Sequence, residues 1–385
     1  MTRGQNISRA GILNRQLVLH HIRARGAVSC TELAHMTDLS RPAIFKMVNE
    51  LLDGGWIAGK RLRDGSLGQP TSYLSINPES AYSLGFHLTR NHVSFAAIDF
   101  GGDVRETMHF DLRADHLPSV RRTVDECLRR LLREQKFPLE KIVGVGLSTP
   151  VDVADADDMP HGPFGSRGEI DNDIRALMNL SVTRDDDATA AAMAETNFGA
   201  GLTEDTFLYL YLGRGLEGRL IANRRYLRPG RTQVGDWGGL PQVNPFRSRQ
   251  TSLGQTLGGV VSAAGLRKSM RAADIAVHKI EDLDQSDAKV RSVTTAWLSD
   301  VADLLYLPLL SAIFTLGLKT VFIGGDLPPE LVEDLSFEIS KRLSMNIGGN
   351  WPDRIVRPGK FTRNGAAIGA AALPFVRLWD HGLVT

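Results

Sequence analysis

The sequence predicts an α/β protein with two parts: a small helical head ending in a β-hairpin, residues 1–77, and a larger body, residues 78–385, where short apolar strands alternate with helices. Three observations carry this. The head repeats helical spacing three times and then alternates as a hairpin does. The body's apolar runs end in glycine or proline turns. The charge is also uneven. The head holds ten Lys/Arg against five Asp/Glu and the body 35 against 39, so +5 and −4 combine to the chain's +1. A basic head on a slightly acidic body fits phosphate contact by the head alone.

Within the head, Val18, His21 and Ile22 fall at helical spacing in a run from Asn14 to Arg25 that Gly26 ends. Ser29 or Thr31 can cap a short second helix holding Leu33 and Ala34, and Thr37 to Ser40 make a tight turn. Ser40 can cap a third helix with Pro42 in its first turn, where a missing N–H costs nothing. Ile44, Val48, Leu51 and Leu52 form its buried stripe, and Gly54-Gly55 stops it. Two helices joined by a tight turn make a helix-turn-helix, whose last helix meets base edges with its first residues. Those residues are Ser40, Arg41, Ala43, Phe45 and Lys46. Arg41 suits guanine, and Lys46 suits phosphate or guanine.

Trp56–Ile57 and Tyr73–Ile76 flank a polar loop with Asp64-Gly65 and Gly68, the pattern of a β-hairpin. After a recognition helix such a hairpin is a wing. Its DNA-facing candidates are Lys60, Arg61, Arg63 and Gln69.

The body opens with a hairpin pattern in YSLGFHLTRNHVSFAAIDFGGDV. KIVGVGLSTPV, TFLYLYLGRGLEGRLIANRRYL and KTVFIGGDLPPE supply further strands, and NGAAIGAAALPFVRL a helix of small residues able to pack closely. Ligands in such architecture lie at strand ends. Ser148 and Thr149 end one strand, Asp186 and Asp187 stand where another meets a helix, and Asp236 follows the long hairpin. These five are the candidate effector-binding residues. Acids there suit hydroxyl donors, so a polyol or cationic amino sugar fits better than a phosphorylated sugar. Arg247 and Arg249 would reverse that preference if they fold inward.

Cys30 and Cys127 have no partners at zinc-finger spacing and make no disulfide framework. The N-terminus lacks the apolar run of a signal peptide, and no stretch of about 18 uncharged apolar residues occurs, so a cytoplasmic protein without a membrane span is expected.

LSRPAIFKMVNELLDGGWI, GQPTSYLSINP, GVGLSTPVD, DDDATAAAMAE, GRGLEGRLIANRRYLRPG, VGDWG, FIGGDL and GAAIGAAAL follow one another across about residues 12–375. In that order they resemble a transcriptional regulator of the ROK family (repressors, open reading frames, kinases). The resemblance implies a winged helix-turn-helix fused to a two-lobed, actin-like (ribonuclease H-like) sugar-kinase fold, with any effector held between the lobes.

It also implies what a kinase would need here. The first phosphate turn of the family resembles Asp-x-Gly-Gly-Thr. In the matching GFHLTRN, His87 replaces the Asp and Leu88 to Arg90 the glycines. The second turn keeps Gly213, Gly215 and Gly218, but Glu217 and Arg219 interrupt it. Asp187 aligns with the general base, while Asp186 and Thr189 stand where the family has asparagines. Asp236 replaces the sugar-gripping Glu, Gly239 replaces a His, and the loop that follows lacks cysteine, so no His/Cys zinc site can form. The expectation is a DNA-binding repressor of carbohydrate-related genes, with no enzymatic activity and no cofactor. Its partners would be double-stranded operator DNA, a sugar-derived effector and further copies of itself in a homodimer or homotetramer. The alternatives are a sugar kinase with an accessory DNA-binding head, or a ligand-independent regulator whose body serves only for oligomerisation.

Overall fold

The structure is a computed structural model and describes residues 3–62, 71–89, 92–112, 117–150, 169–227, 235–246, 255–277, 280, 283–345 and 354–380. The first helix, α1 (Arg3–Arg25), starts well before the apolar periodicity does and ends at Gly26, whose φ of 73° suits glycine. Its buried residues are Val18, Leu19 and Ile22. Ser29, not Thr31, caps α2 (Cys30–Thr37). The Ser29 hydroxyl accepts the Glu32 N–H, and the Glu32 carboxylate accepts the Ser29 N–H at 2.7 Å, a reciprocal cap. Asp38 ends α2 in the left-handed region, φ 56°.

Ser40 is the N-cap of α3 (Arg41–Asp53) by position, but its side chain makes no capping hydrogen bond. The buried stripe of α3 is Ile44, Met47, Val48 and Leu51, with Leu52 half-buried. The hairpin forms from β2 (Ile57–Leu62) and β3 (Thr71–Ile76), Ile57 opposite Ile76 and Leu62 opposite Thr71. A two-residue strand, β1 (Val28–Ser29), completes this sheet against β3, a pairing too short for any sequence pattern to reveal.

The chain divides into two compact units: residues 1–185 with 370–385, and residues 186–369. The sheet of the first comprises β4 (Tyr82–Leu88), β5 (His92–Asp99), β6 (Val104–Asp111), β7 (Ile142–Thr149) and β8 (Val182–Asp186), ordered β6-β5-β4-β7-β8. The first three are antiparallel, and β7 runs parallel to β4. Residues from α4 (Leu117–Glu134) and α5 (Glu169–Met178) pack with Phe86, Phe95, Val145 and Leu147. Cys127 lies in this core, where burial pushes its thiol up to about 12.

The second unit repeats the scheme. Its strands are β9 (Phe207–Leu212), β10 (Leu216–Ala222), β11 (Arg225–Tyr226), β12 (Val321–Gly325) and β13 (Val356–Pro358), ordered β11-β10-β9-β12-β13. Here three antiparallel strands are followed by two parallel ones, β12 beside β9 and β13 beside β12. Strand β9 reads Phe-Leu-Tyr-Leu-Tyr-Leu, and its two-residue period sorts the faces. Leu208, Leu210 and Leu212 join the core made with α7 (Ala263–Ala272), α8 (Ala288–Leu316) and α9 (Pro329–Leu343). Phe207, Tyr209 and Tyr211 pack with alanines of α6 (Asp187–Phe198). By length and composition α8 is apolar enough to cross a membrane. Half of that stretch is buried in the protein, and its Asp303 pairs with Arg342 at 2.6 Å, the pattern of a core helix.

The C-terminal helix, α10 (Gly365–Asp380), packs as closely as its small residues allow. A Cβ on Gly146 of β7 would lie 1.7 Å from the Ala370 carbonyl oxygen, and one on Gly369 would lie 2.4 Å from the Ala190 carbonyl carbon. Backbone meets backbone at both places, so neither can yield cheaply. Gly146→Ala should therefore lower unfolding free energy by about 3 kcal/mol, read from urea denaturation of the full chain. Gly215→Ala, where a Cβ meets nothing within 4 Å, serves as the neutral control.

Candidate functional site

On the head, α3 separates its residues cleanly. Ile44, Met47, Val48 and Leu51 are buried, while Arg41, Phe45, Lys46 and Asn49 are exposed. Phe45 is 53% exposed, a large apolar ring in water on an otherwise polar face. Ser40 is exposed and Ala43 half-buried at the same end of the helix. Lys60 is exposed on β2, and the backbone of Arg61 follows it in the strand. Arg63 and Gln69 lie outside the described residues. Exposed side chains at a helix start, beside a hairpin with a basic residue, can meet a polyanion.

In the second unit the acids at the start of α6 form a closed network. Asp186 is the N-cap: its carboxylate accepts the Thr189 N–H and the Thr189 hydroxyl, both at 2.7 Å. Thr189 thus completes a cap that keeps Asp186 fixed. Asp187 is buried, and one carboxylate oxygen accepts its own helix's Ala188 N–H at 2.8 Å.

Arg219 reaches into this cap from β10. Its Nε donates to the Thr189 hydroxyl oxygen at 2.8 Å, and its Nη2 to Asp186 at 2.7 Å and to Glu217 at 2.5 Å. Its Nη1 donates to the Gly218 carbonyl at 3.1 Å. Glu217 and Arg219 stand two apart on one strand and so share a face. That spacing, an acid and an arginine inside an apolar strand, was the sequence signal for the pair. What it did not show was the third member, Asp186, thirty-three residues away.

Burial works against the charge on Arg219, but Asp186 and Glu217 more than offset it and hold the guanidinium firmly protonated. Glu217 is pulled the other way. Burial and the nearby Asp187 push its carboxyl up to about 8, although Arg219 draws it down. Asp186, Asp187 and Glu217 bring one oxygen each within 4.8 Å, a donor set of the kind that holds a cation. In this arrangement the Arg219 guanidinium already bonds two of the three.

Asp236 is exposed and caps its own turn, accepting the Gly239 N–H at 3.0 Å. It is not among the three clustered acids, although Trp237 of that turn lies against Gly218, where a Cβ would come within 2.4 Å of the indole. Ser148 and Thr149 end β7 in the first unit, with Ser148 buried and level with His87 of β4. His87 is buried edge-on to His92, ring centroids 5.6 Å apart. Arg247 and Arg249 lie outside the described residues.

A buried acid that titrates high makes stability depend on pH. Glu217 has its folded pKa raised, so its contribution is complete below about 4.5 and lost as pH rises through about 8. Buried Glu195, also raised by burial, works in the same direction. The melting temperature should therefore fall between pH 5 and pH 8, and Glu217→Gln should flatten that fall. A parallel curve for the variant in calorimetry at six pH values would refute the assignment. Removing Arg219 leaves buried acids unpaired, so Arg219→Ala should cost about 3 kcal/mol in urea unfolding.

Residues 84–375 match the family described as ROK family. The chain is 19% identical over 375 residues to the xylose repressor of Bacillus spizizenii, covering 96% of each. Among solved structures it is similar to a ROK family transcriptional regulator, homolog of the E. coli MLC protein, with 18% identity and a TM-score of 0.68 over 97% of this chain and 98% of that one. It is also similar to the ROK hexokinase from Thermus thermophilus, with 21% identity and a TM-score of 0.54 over 78% of this chain and 99% of that one. At those identities the two structures show the fold alone, an α/β body of the ROK sugar-kinase type. With the family match covering well over half of its length, the chain belongs to the ROK family.

Proposed function

We propose that the protein is a DNA-binding transcriptional repressor of carbohydrate-related genes. Residues 1–77 would form the DNA-binding domain, and residues 78–385 a body that senses a sugar and holds two or more copies together without phosphotransfer. The observation that carries the first half is the exposed face of α3, where Arg41, Phe45 and Lys46 stand clear of the buried stripe. Arg41 reads guanine, Phe45 offers a ring to a thymine methyl, and Lys46, Lys60, Arg61 and Arg63 neutralise phosphates. The similarity to a xylose repressor and to a ROK regulator over nearly the whole chain supports the same reading. The protein would work in the cytoplasm.

Arg219 supports the second half. In the family pattern its position and that of Glu217 belong to glycines of a phosphate turn. Here a carboxylate and a guanidinium fill that stretch, and the guanidinium is tied to Asp186 beside the residue aligned with the general base. The side chains of Glu217 and Arg219 deny a phosphate the close backbone approach that glycines would allow. Asp187 accepts its own helix's N–H, and a carboxylate is an acceptor of the kind a sugar hydroxyl donates to. The effector residues in this reading are Ser148, Thr149, Asp186, Asp187 and Asp236.

Arg41→Ala should weaken binding to an operator selected from a random DNA pool by about 1–3 kcal/mol and relax preference at one base position. Lys46→Ala should act evenly on all sequences and reduce the salt slope by about 1. Unchanged affinity in Arg41→Ala would remove α3 as the reading helix. The purified protein should phosphorylate no sugar in a coupled assay with ATP, and turnover near 1 per second, the low end of ordinary kinases, would overturn the repressor-only reading. In a thermal-shift screen of neutral sugars, polyols and amino sugars, Asp187→Ala should weaken the stabilising ligand about ten- to a hundredfold. Operator binding without that ligand should stay as in the parent.

A further inference from the structure

The head is fastened to the rest of the first unit by a contact that uses neither the exposed face of α3 nor the acid cluster. Arg23, in the last turn of α1, lies over the ring of Trp379 at 4.8 Å and of Phe100 at 5.4 Å. Its Nη2 donates to the Phe100 carbonyl at 3.1 Å. The rings form one packed group: Phe100 meets Phe375 at 5.6 Å and Trp56 at 5.0 Å, and Phe375 stacks on Trp379. Four segments meet there. Arg23 comes from α1, Trp56 from the root of the hairpin, Phe100 from the turn after β5, and Phe375 and Trp379 from α10. Gln16 adds a longer bond from α1 to Asp380 at 3.3 Å.

The covalent link between head and body is short. Asn77 leads into a single turn, Pro78–Ser80, and the Phe100 N–H donates to the Pro78 carbonyl at 3.2 Å. One such link permits swivelling. A second attachment at Arg23, on a different element of the head from the Trp56–Phe100 contact, opposes that freedom. The second attachment is also of moderate strength. A cation over ring faces with one carbonyl changes a population by about tenfold, enough to set an orientation and small enough for a ligand to reverse. Neighbouring domains move relative to one another unless contacts oppose it, and Arg23 adds a directional contact to the ring packing of Trp56 on Phe100. The helix that presents Trp379 begins in the second unit, with Gly369 against Ala190 of α6, the helix that Asp187 opens.

We propose that Arg23, held by Phe100 and Trp379, is the lock that fixes the angle of the DNA-binding head on the body and so sets the half-site spacing the protein accepts. The inference rests on the reading of the head as a DNA-binding domain in an oligomer. Arg23 is a positioning residue and needs no contact with DNA.

The test uses the full chain and a half-site selected from a random pool by the parent protein. Pairs of that half-site are placed at spacings stepped by one base pair over one helical turn, about 10.5 base pairs. The parent should prefer one spacing by tenfold or more over spacings half a turn away, about the worth of the lock. Arg23→Ala should reduce that preference to about threefold or less while binding a single half-site within about twofold of the parent. Arg23→Lys, which keeps charge without the flat guanidinium, should fall between. Trp379→Leu removes the same lock from the body side, away from the head's own core, and should broaden spacing alike if Arg23→Ala fails to fold. The proposal is overturned if both variants keep the parent's spacing profile, or if single half-site binding falls as far as paired binding. A parent that selects no DNA sinks the DNA-binding reading itself, and the lock with it.

Discussion

The approach of β7 to α10 is the constraint on which most of the first unit depends. At residue 146 the strand lies so close to Ala370 that no side chain fits between them. With the helix axis set by backbone contact, its later residues have no latitude. Phe375 and Trp379, one turn apart, must present their rings to Phe100 and Arg23. A helix held by large side chains would sit farther away and could shift by rotamer changes. A helix held against Gly146 has no such slack. The alanines and glycines of GAAIGAAAL matter for what they leave out.

Charge placement governs the second unit. Arg219 is 5% exposed, and burying a guanidinium without partners is prohibitive. It therefore needs Asp186, Glu217, the Thr189 hydroxyl and the Gly218 carbonyl together, and its bonds to Asp186 and Thr189 tie β10 to the first turn of α6. Thr189 has two functions, filling the cap of Asp186 and accepting from Arg219. At the other end of α6, Glu195 is wholly buried and its carboxylate accepts the N–H groups of Ala200 and Phe361. Both ends of one alanine-rich helix are thus anchored by carboxylates, because its small side chains provide little of their own to grip.

The head was legible residue by residue because its signals are local. Caps, glycine stops and stripe spacing act within four residues, and α2, α3 and the hairpin form where those signals place them. Even there packing adjusted details. Met47 joined the stripe and Leu52 withdrew from it, and Ser40 caps α3 by backbone position alone. The strand β1 escaped notice because two residues carry no period.

The sequence by itself determined the α/β class, the order of the strands along the chain and the helices and hairpin of the head. Each is carried by a short run of residues whose chemistry does not depend on distant neighbours. Only the tertiary structure decided that both sheets share one order, three antiparallel strands and then a parallel fourth, since equal topology needs no equal residues. It also joined Arg219 to Asp186 across 33 positions and Arg23 to Trp379 across most of the chain. A lone arginine in a sequence is compatible with water, phosphate, carboxylate or a ring face. Which of these it meets is set by the folding of segments far apart along the chain, and no local pattern encodes that choice.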